Sequence, residues 1–480
     1  MSAALELAGL DEAAAAFAAL GRAERASYLA LIAEALEAER NALVALAVDE
    51  THLAPERLDN ELTRTIGQLE LYGAVVAEGS YLEPEVDHAG WAGRLPHPDI
   101  RQTRRPIGPV AVYAAGNFPF AFGVAGTDSA SALAAGCPVV VKAHPDQPEL
   151  SRRLAAIVRA ALEAAGAHPM TFVLVEGLET GRQLVTHPSI AAAAFTGSTT
   201  GGRALFDLAN ARPDPIPFYG EMGSINPVFI WKSAIELDPD GLAQGLAASL
   251  TASAGQLCTK PGLIFYPRGT DFADRVVALV DSAPRLEMLS GGIRTRLLSA
   301  LDQVRAIAGV REASAESAGG TILLAPIEIF LGEGGASLLT ECFGPAAVLI
   351  DYETPVQLRS AALKVEGTLT ATIHSADESD DGVREVLAAV ERRAGRILYN
   401  GWPTGLSVSW ATHHGGPYPA TTAPLATSVG PKAIGRFLRP VAYQGVPDYL
   451  LPDELREQPV HELVRRVDGR FDDTSNEGAS

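Results

Sequence analysis

Apolar positions along this chain recur first in a helical period and later in short solid runs. Over residues 11–50, alanine and leucine are interspersed with glutamate and arginine, which predicts helix on propensity and pattern. Over 56–77, Leu62, Ile66, Leu69 and Tyr72 recur every three to four positions and predict a second helical stretch. Arg64 and Gln68 fall on another face, which by pattern alone is solvated. Residues 88–105 lose the period and turn Gly-, Pro- and Arg-rich, which reads as a protruding ribbon.

From Val110 onward, solid apolar runs alternate with helical stretches. Val110–Ala114, Pro138–Lys142, Thr171–Val175 and Ala191–Thr196 read as buried strands. Helices are predicted over 125–135, over Leu150–Ala165 with Gly166 as its stop, and near Thr180–Val185. Such alternation predicts a mainly parallel sheet covered on both faces. A second α/β section begins near Val228. Its helix at about 240–253 runs toward Cys258, followed by a strand at Gly262–Tyr266 and helices at about 271–280 and 295–308. Further strands are expected at Ala346–Asp351, Gly367–Ile373 and Arg396–Asn400, with a helix through Val390. Gly401–Thr427 is a Gly-, Pro- and Thr-rich loop of a length that is usually functional. From Asp468 the chain is polar and expected to fray.

Composition narrows the classes. A chain of 480 residues holds two or three domains. Its formal charge of −20 argues against nucleic acid, which needs a basic face. The cysteines are Cys137, Cys258 and Cys342, too few for a disulfide framework and in keeping with a reducing, cytoplasmic setting. The N-terminus carries acids and no basic leader, and no apolar run approaches the ~18–20 residues that span a bilayer. A soluble protein is expected.

The stretch Ser253–Pro261, S-A-G-Q-L-C-T-K-P, sets Cys258 among small, flexible and polar neighbours. A lone cysteine is more often structural, but a structural one normally lies in an apolar run. A thiol with a pKa of about 8.5 is scarcely ionised at neutral pH, so a nucleophilic role wants a base. Glu221 in E-M-G-S-I-N-P and Glu341 in T-E-C-F-G-P are candidates, and Asn117 in A-A-G-N-F-P-F could donate to an oxyanion. The turn Gly197–Gly202 follows a strand and opens a helix, which suits a pyrophosphate, although G-x-G-x-x-G is absent. Lys142 ends a buried strand, where ligands commonly meet an open α/β sheet. Ten histidines show no metal-ligand spacing, and the adjacent His413 and His414 are poorly placed to share an ion. No metal site is expected.

The ordered series N-F-P, V-V-V-K, F-T-G-S, E-M-G-S, G-Q-L-C, E-C-F-G-P and Y-N-G resembles the aldehyde dehydrogenase superfamily from about Leu43 to Leu455. The resemblance implies a Rossmann-like cofactor domain, an α/β catalytic domain and a small β oligomerisation ribbon. The expected division is 1–88 and 107–223 for the cofactor, 224–418 for catalysis, and 89–106 with 419–480 for assembly as a homodimer or homotetramer. It implies Cys258 as nucleophile, Glu221 as the base for the deacylating water, and Asn117 with the Cys258 amide as oxyanion donors. Gly197, Ser198 and Gly202 would form the pyrophosphate turn, and Lys142 would bond the adenosine ribose. Glu341 and Phe343 would hold the nicotinamide ribose and ring. Many members carry a glutamate at the place of Pro145 that binds both ribose hydroxyls. A carboxylate about 4 Å from a 2′-phosphate would oppose it by roughly 4 kcal/mol. Its absence, with Arg182 suited to adenine or phosphate, favours NADP over NAD.

F-Y-G-E-M-G-S-I-N-P, H-G-G-P-Y-P-A-T-T and S-V-G-P-K-A-I-G-R-F-L-R-P-V-A-Y-Q look most like 2-oxoglutarate semialdehyde (2,5-dioxopentanoate) dehydrogenases, and resemble NADP-dependent fatty aldehyde dehydrogenases as well. The expected reaction takes an aldehyde to an acid through a thiohemiacetal and a thioester. Glu221 favours hydrolysis over acyl transfer to coenzyme A. An inactive scaffold would have no reason to keep Cys258, Glu221, Asn117 and Glu341 together. Arg64 lies on the helix that the family uses as a tunnel wall and is expected to pair with a substrate carboxylate, with Gln68 one turn later. The loop from Trp402 to His414 would form the opposite wall, with Thr404 and His414 as contacts.

Overall fold

Four of the predicted apolar runs become neighbours in one sheet. In the computed structural model, which describes residues 5–315, 317–461 and 463–472, they are β1 (Val110–Tyr113), β2 (Val139–Lys142), β3 (Phe172–Val175) and β4 (Ala192–Thr196), with β5 (Phe218–Glu221) beside them. The order is β3-β2-β1-β4-β5, and every pairing is parallel. Parallel strands are covered by helices on both faces, so Val110, Ala111, Val139, Val140, Ala192 and Ala193 are all fully buried. The strand order reverses at β1, which leaves a crevice outside the carboxyl ends of the strands. Register places Tyr113 opposite both Lys142 and Phe195, and Thr196 opposite Glu221. Asn117, Lys142, Ser198 and Glu221 therefore reach one sheet edge by topology.

The second sheet holds β6 (Pro227–Ile230), β7 (Leu263–Pro267), β8 (Arg311–Glu312), β9 (Thr321–Pro326), β10 (Ala346–Tyr352), β11 (Thr368–His374) and β12 (Ala394–Tyr399). Its order is β8-β9-β10-β7-β6-β11-β12, parallel except for the β8–β9 pair. Here the chemistry precedes the strands. Asn226 leads into β6, Cys258 into β7 and Glu341 into β10. One cavity is lined from both sides, so the carboxyl edge of the first sheet meets the amino edge of the second.

Ile100–Pro106 lies between Glu85–Asp87 and Leu438–Gln444 in a third sheet, completed by Arg465–Val467 and Arg470–Asp472. Gly90–Ala92 and Leu95–His97 form a separate hairpin. The expected frayed end reaches beyond the described residues at 473–480. Among the described residues no helix is long and apolar enough to cross a membrane.

Two readings differ from the observed fold. The helical stretch over 11–50 is three helices, Leu10–Ala18, Arg22–Ala38 and Arg40–Thr51, broken where Gly21 is extended and Glu39 is non-helical. The breaks let the middle helix fold back onto α1 (Pro55–Glu78). The segment after 419 also does more than extend a ribbon, because Ala433, Ile434 and Phe437 enter the first core.

Two helices aim the site. α2 (Thr199–Asn210) starts at the end of β4, and α3 (Pro239–Thr251) runs into a tight turn over Ala252–Gly255. Ser253, Ala254 and Gly255 are all left-handed, with φ of 52°, 54° and 65°. For residues with a Cβ this conformation costs roughly 1–2 kcal/mol each, so packing must enforce it. A Cβ on Gly255 would overlap the backbone of Gly344 and Pro345. Only glycine lets the C-F-G-P segment lie against the turn that delivers Cys258. Gly255→Ala is expected to lower stability by about 1–3 kcal/mol and to reduce turnover, read by denaturant unfolding and steady-state kinetics. Unchanged stability and turnover would show that the turn yields freely.

Candidate active site

Cys258 emerges half-buried from that turn, with Sγ 3.6 Å from His414 Nε2. The same nitrogen is 3.1 Å from Glu221 Oε1, and Ser428 Oγ donates to Glu221 Oε2 at 2.9 Å. The side chains of His414 and Glu221 are only 2% and 5% exposed. Thiol, imidazole and carboxylate thus converge from three distant segments. Burial and the Glu221 charge hold the Cys258 thiol well above its ordinary pKa. Burial works against Glu221 ionising, but His414, Ser428 and the thiol outweigh it and hold the carboxyl below its ordinary value. At rest the proton is on sulfur, with an ionised acceptor beside it.

The sequence reading placed His414 on a substrate wall. The structure instead bonds it to Glu221, because the loop closes on itself: His414 N donates to Thr427 Oγ1 at 2.9 Å and Ser428 N to His414 O at 2.9 Å. The expectation of no metal rested on histidine spacing, which could not foresee this cluster. Its three donor atoms lie within 4.8 Å of one another, close enough to hold an ion. The same closeness suits proton transfer between a nucleophile and its base.

Backbone carbonyls are clamped as firmly. Asn226, left-handed at φ 49°, donates Nδ2 to Cys258 O at 2.8 Å and Lys260 O at 2.9 Å. Its Oδ1 accepts from Thr370 N at 3.2 Å and Ser224 Oγ at 2.7 Å, tying the turn to β11. Sequence reasoning took Glu221 from E-M-G-S-I-N-P and passed over Asn226. The clue was an asparagine before proline, the residue type that tolerates this conformation while bonding local backbone. Asn117 donates to Gln256 O at 3.0 Å, which uses one of its two amide hydrogens. Its own turn rests on α1: Arg57 Nη2 donates to Asn117 O at 2.7 Å, and the Glu61 carboxylate accepts from Phe120 N and Ala121 N at 2.8 and 2.9 Å.

A cavity of about 460 Å³ opens from the thiol along the first sheet edge. Of the residues read from sequence, Asn117, Glu221, Cys258, Glu341 and Phe343 line its inner part, and Lys142, Pro145, Arg182, Gly197 and Ser198 the remainder. Gly202 is the exception. A Cβ there would meet Met222 Cγ at 2.8 Å, so it packs α2 onto the strands and does not form the wall. Ser198 caps α2, accepting from Gly201 N at 3.3 Å. His144 and Arg296, neither anticipated, also line the cavity. Burial takes His144 down to about 4, so its imidazole is neutral at pH 7. Arg182 has Glu179 at 3.7 Å, an exposed pair of little energetic weight. The carboxylates on the wall are Glu221 and Glu341, both at the thiol end, and burial raises Glu341 despite Lys260. A helix N-terminus with lysine and arginine at one end and a thiol at the other fits an anionic dinucleotide.

The pattern-based face for Arg64 and Gln68 is corrected. Gln68 is 3% exposed, and the Arg64 guanidinium packs 5.9 Å from the centre of the Phe122 ring. Arg64 Nε and Nη2, and both amide atoms of Gln68, lack partners. The hydroxyl of Thr404 pairs with Ser249 at 3.3 Å and is not brought to the thiol by any described contact.

Comparison with known proteins agrees with this geometry. Residues 2–292 match the aldehyde dehydrogenase family. The chain is 42% identical over 469 residues to alpha-ketoglutaric semialdehyde dehydrogenase 2 of Azospirillum brasilense, covering 95% of this chain and 89% of that one. It is 40% identical over 459 residues to the alpha-ketoglutaric semialdehyde dehydrogenase of Acinetobacter baylyi, covering 93% and 87%. Its fold matches a 1-pyrroline-5-carboxylate dehydrogenase from Thermus with bound NAD at a TM-score of 0.74 and 20% identity, covering 91% of this chain and 84% of that one. The chain belongs to the aldehyde dehydrogenase family.

The electrostatics give a direct test. Because the thiol is held high, alkylation of Cys258 by iodoacetamide should accelerate with pH and level off above the range of a free cysteine. Glu221→Gln removes the adjacent negative charge and should move that profile to lower pH. An identical profile in both proteins would show that Glu221 does not govern the thiol.

Proposed function

We propose that this aldehyde dehydrogenase oxidises the semialdehyde of 2-oxoglutarate to 2-oxoglutarate, with NADP as its preferred acceptor. The observation that carries the chemistry is Cys258 beside the buried His414–Glu221 pair. The substrate reading draws on the two relatives of that printed activity, which match nearly the whole chain. Arg64 supports it, as a half-buried cation with two orphaned N–H groups suits a carboxylate.

In this mechanism the Cys258 proton passes to Glu221, directly or by way of His414, and the thiolate attacks the aldehyde carbon. The negative oxygen of the resulting thiohemiacetal is held by the free amide hydrogen of Asn117 and the backbone amide of Cys258. When bound, the nicotinamide group supplies the hydride acceptor, and Glu341 and Phe343 would hold its ribose and ring. After Glu221 has released the proton it took from Cys258 to solvent, it takes a proton from water, the hydroxide adds to the Cys258 thioester, and the sulfur leaves as thiolate as the acid is released. At the far end, Gly197 and Ser198 would receive the pyrophosphate, and Lys142 and Arg182 the adenosine ribose and its phosphate, with no carboxylate at Pro145 to oppose it.

The same reading keeps the division into cofactor, catalytic and assembly segments and places the enzyme in the reducing cytoplasm, where a free thiol persists. Leu438–Gln444 is an edge strand with largely exposed residues, which suits pairing with a second copy in a homodimer or homotetramer.

A panel of 2-oxoglutarate semialdehyde against aliphatic aldehydes of increasing length, followed by NADPH formation, tests the assignment. Arg64→Met should raise KM for the semialdehyde by one to two orders of magnitude, since a charge-assisted bond contributes roughly 1.5–3 kcal/mol, and should leave hexanal little changed. Equal losses on both substrates would make Arg64 structural, and faster turnover of hexanal by the unaltered enzyme would reassign it to the aliphatic branch. Pro145→Glu should move the ratio of kcat/KM from NADP toward NAD, and an unchanged ratio would place the phosphate elsewhere.

A further inference from the structure

α1 carries a polar stripe that its amphipathic pattern does not call for. Arg57, Glu61, Arg64, Gln68 and Tyr72 follow one another at three- or four-residue steps and so share one face of the helix. The stripe climbs beside the segment that begins at Asn117. Arg57 meets Asn117 O and the Phe118 ring, and Glu61 takes the amides of Phe120 and Ala121. Arg64 lies against Phe122, and Tyr72 Oη is 2.9 Å from Thr127 Oγ1. Gln68 falls between the last two, one helical turn from each.

Gln68 has no partner of its own. It is 3% exposed, and neither Nε2 nor Oε1 is hydrogen-bonded. Buried amides are almost always satisfied, so one left open at both ends marks a place for a ligand or a held water. The nearest stripe residue toward the thiol is Arg64, also with open donors, and its charge is felt by Cys258 and Glu221. Side chains four residues apart on a helix have Cβ atoms about 6 Å apart, so two such donors can serve adjacent groups of one small molecule.

We propose that Gln68 reads the 2-oxo group of the substrate, donating Nε2 to the keto oxygen while Arg64 holds the neighbouring carboxylate. This rests on the substrate reading above and adds a selection to it. An arginine alone would accept any semialdehyde acid of the right length. The amide separates a 2-oxo acid from glutarate semialdehyde, which has the same five carbons and a methylene in place of the carbonyl. A site built to bond a polar group rejects the analogue that lacks it, because the amide is then left unpaired.

The test measures kcat/KM for 2-oxoglutarate semialdehyde and glutarate semialdehyde in the unaltered enzyme, Gln68→Met, Gln68→Leu and Arg64→Met. The unaltered enzyme should prefer the 2-oxo substrate by roughly tenfold, and both Gln68 variants should remove that preference by losing on the 2-oxo substrate alone. Arg64→Met should lower both substrates together. Calorimetric titration of 2-oxoglutarate and glutarate gives a second readout, in which Gln68→Met weakens only the former. Exchanging an unpaired amide for an apolar side chain of similar size should leave the melting temperature unchanged or higher, so a folding defect is visible separately. Equal loss on both semialdehydes, with the preference intact, would overturn the role of Gln68 and leave the substrate reading standing. An unaltered enzyme that turns over hexanal better than either semialdehyde would overturn both.

Discussion

A sulfur that must lose its proton to react lies beside a carboxylate whose charge discourages that loss. The Glu221 charge and burial together hold the Cys258 thiol protonated, while His414 and Ser428 hold Glu221 ionised. A nucleophile at rest in its unreactive form is spared oxidation and stray alkylation. It becomes reactive once the proton has somewhere to go, and the neighbouring base supplies that place. In the proposed mechanism the same carboxylate, once it has given up that proton, also serves the water of the second half-reaction.

Holding these groups together requires strain and clamps that make sense only as support for the site. Three consecutive left-handed residues precede the cysteine, and two of them are not glycine. Asn226 fixes the carbonyl of Cys258 from the far sheet, while Glu61 and Arg57 fix the Asn117 turn from α1. Each clamp spends a buried polar group on geometry. Each of these side chains makes at least one hydrogen bond to the backbone it holds, and such bonds rigidify their surroundings.

The exceptions are equally instructive. Arg64 Nε and Nη2 and both amide atoms of Gln68 are removed from water without gaining hydrogen-bond partners in exchange. A fold selected for stability alone would place leucine or methionine at these positions. Under the proposed substrate reading, these open polar atoms are a stability cost retained for recognition, and local rules of sequence fail at such places.

The sequence by itself determined most strands and helices of both sheets, because solid apolar runs and helical periods are local properties of the chain, but it left β5, β8 and β9 unread. It also exposed Cys258, Glu221, Asn117 and Glu341, whose residue types and flanking glycines and prolines stand out without any knowledge of contacts. What it could not determine was which polar residues meet. His413 and His414 are equivalent in the sequence, yet only His414 reaches Glu221, because a loop with no period of its own closes through Thr427 and Ser428. Arg64 and Gln68 read as a solvated face, because amphipathic pattern assumes that polar means wet. Tertiary packing instead buried Gln68 and half-buried Arg64 against Phe122 of the turn after β1. Periodicity records how a segment is built, whereas burial and pairing depend on what the rest of the chain lays over it.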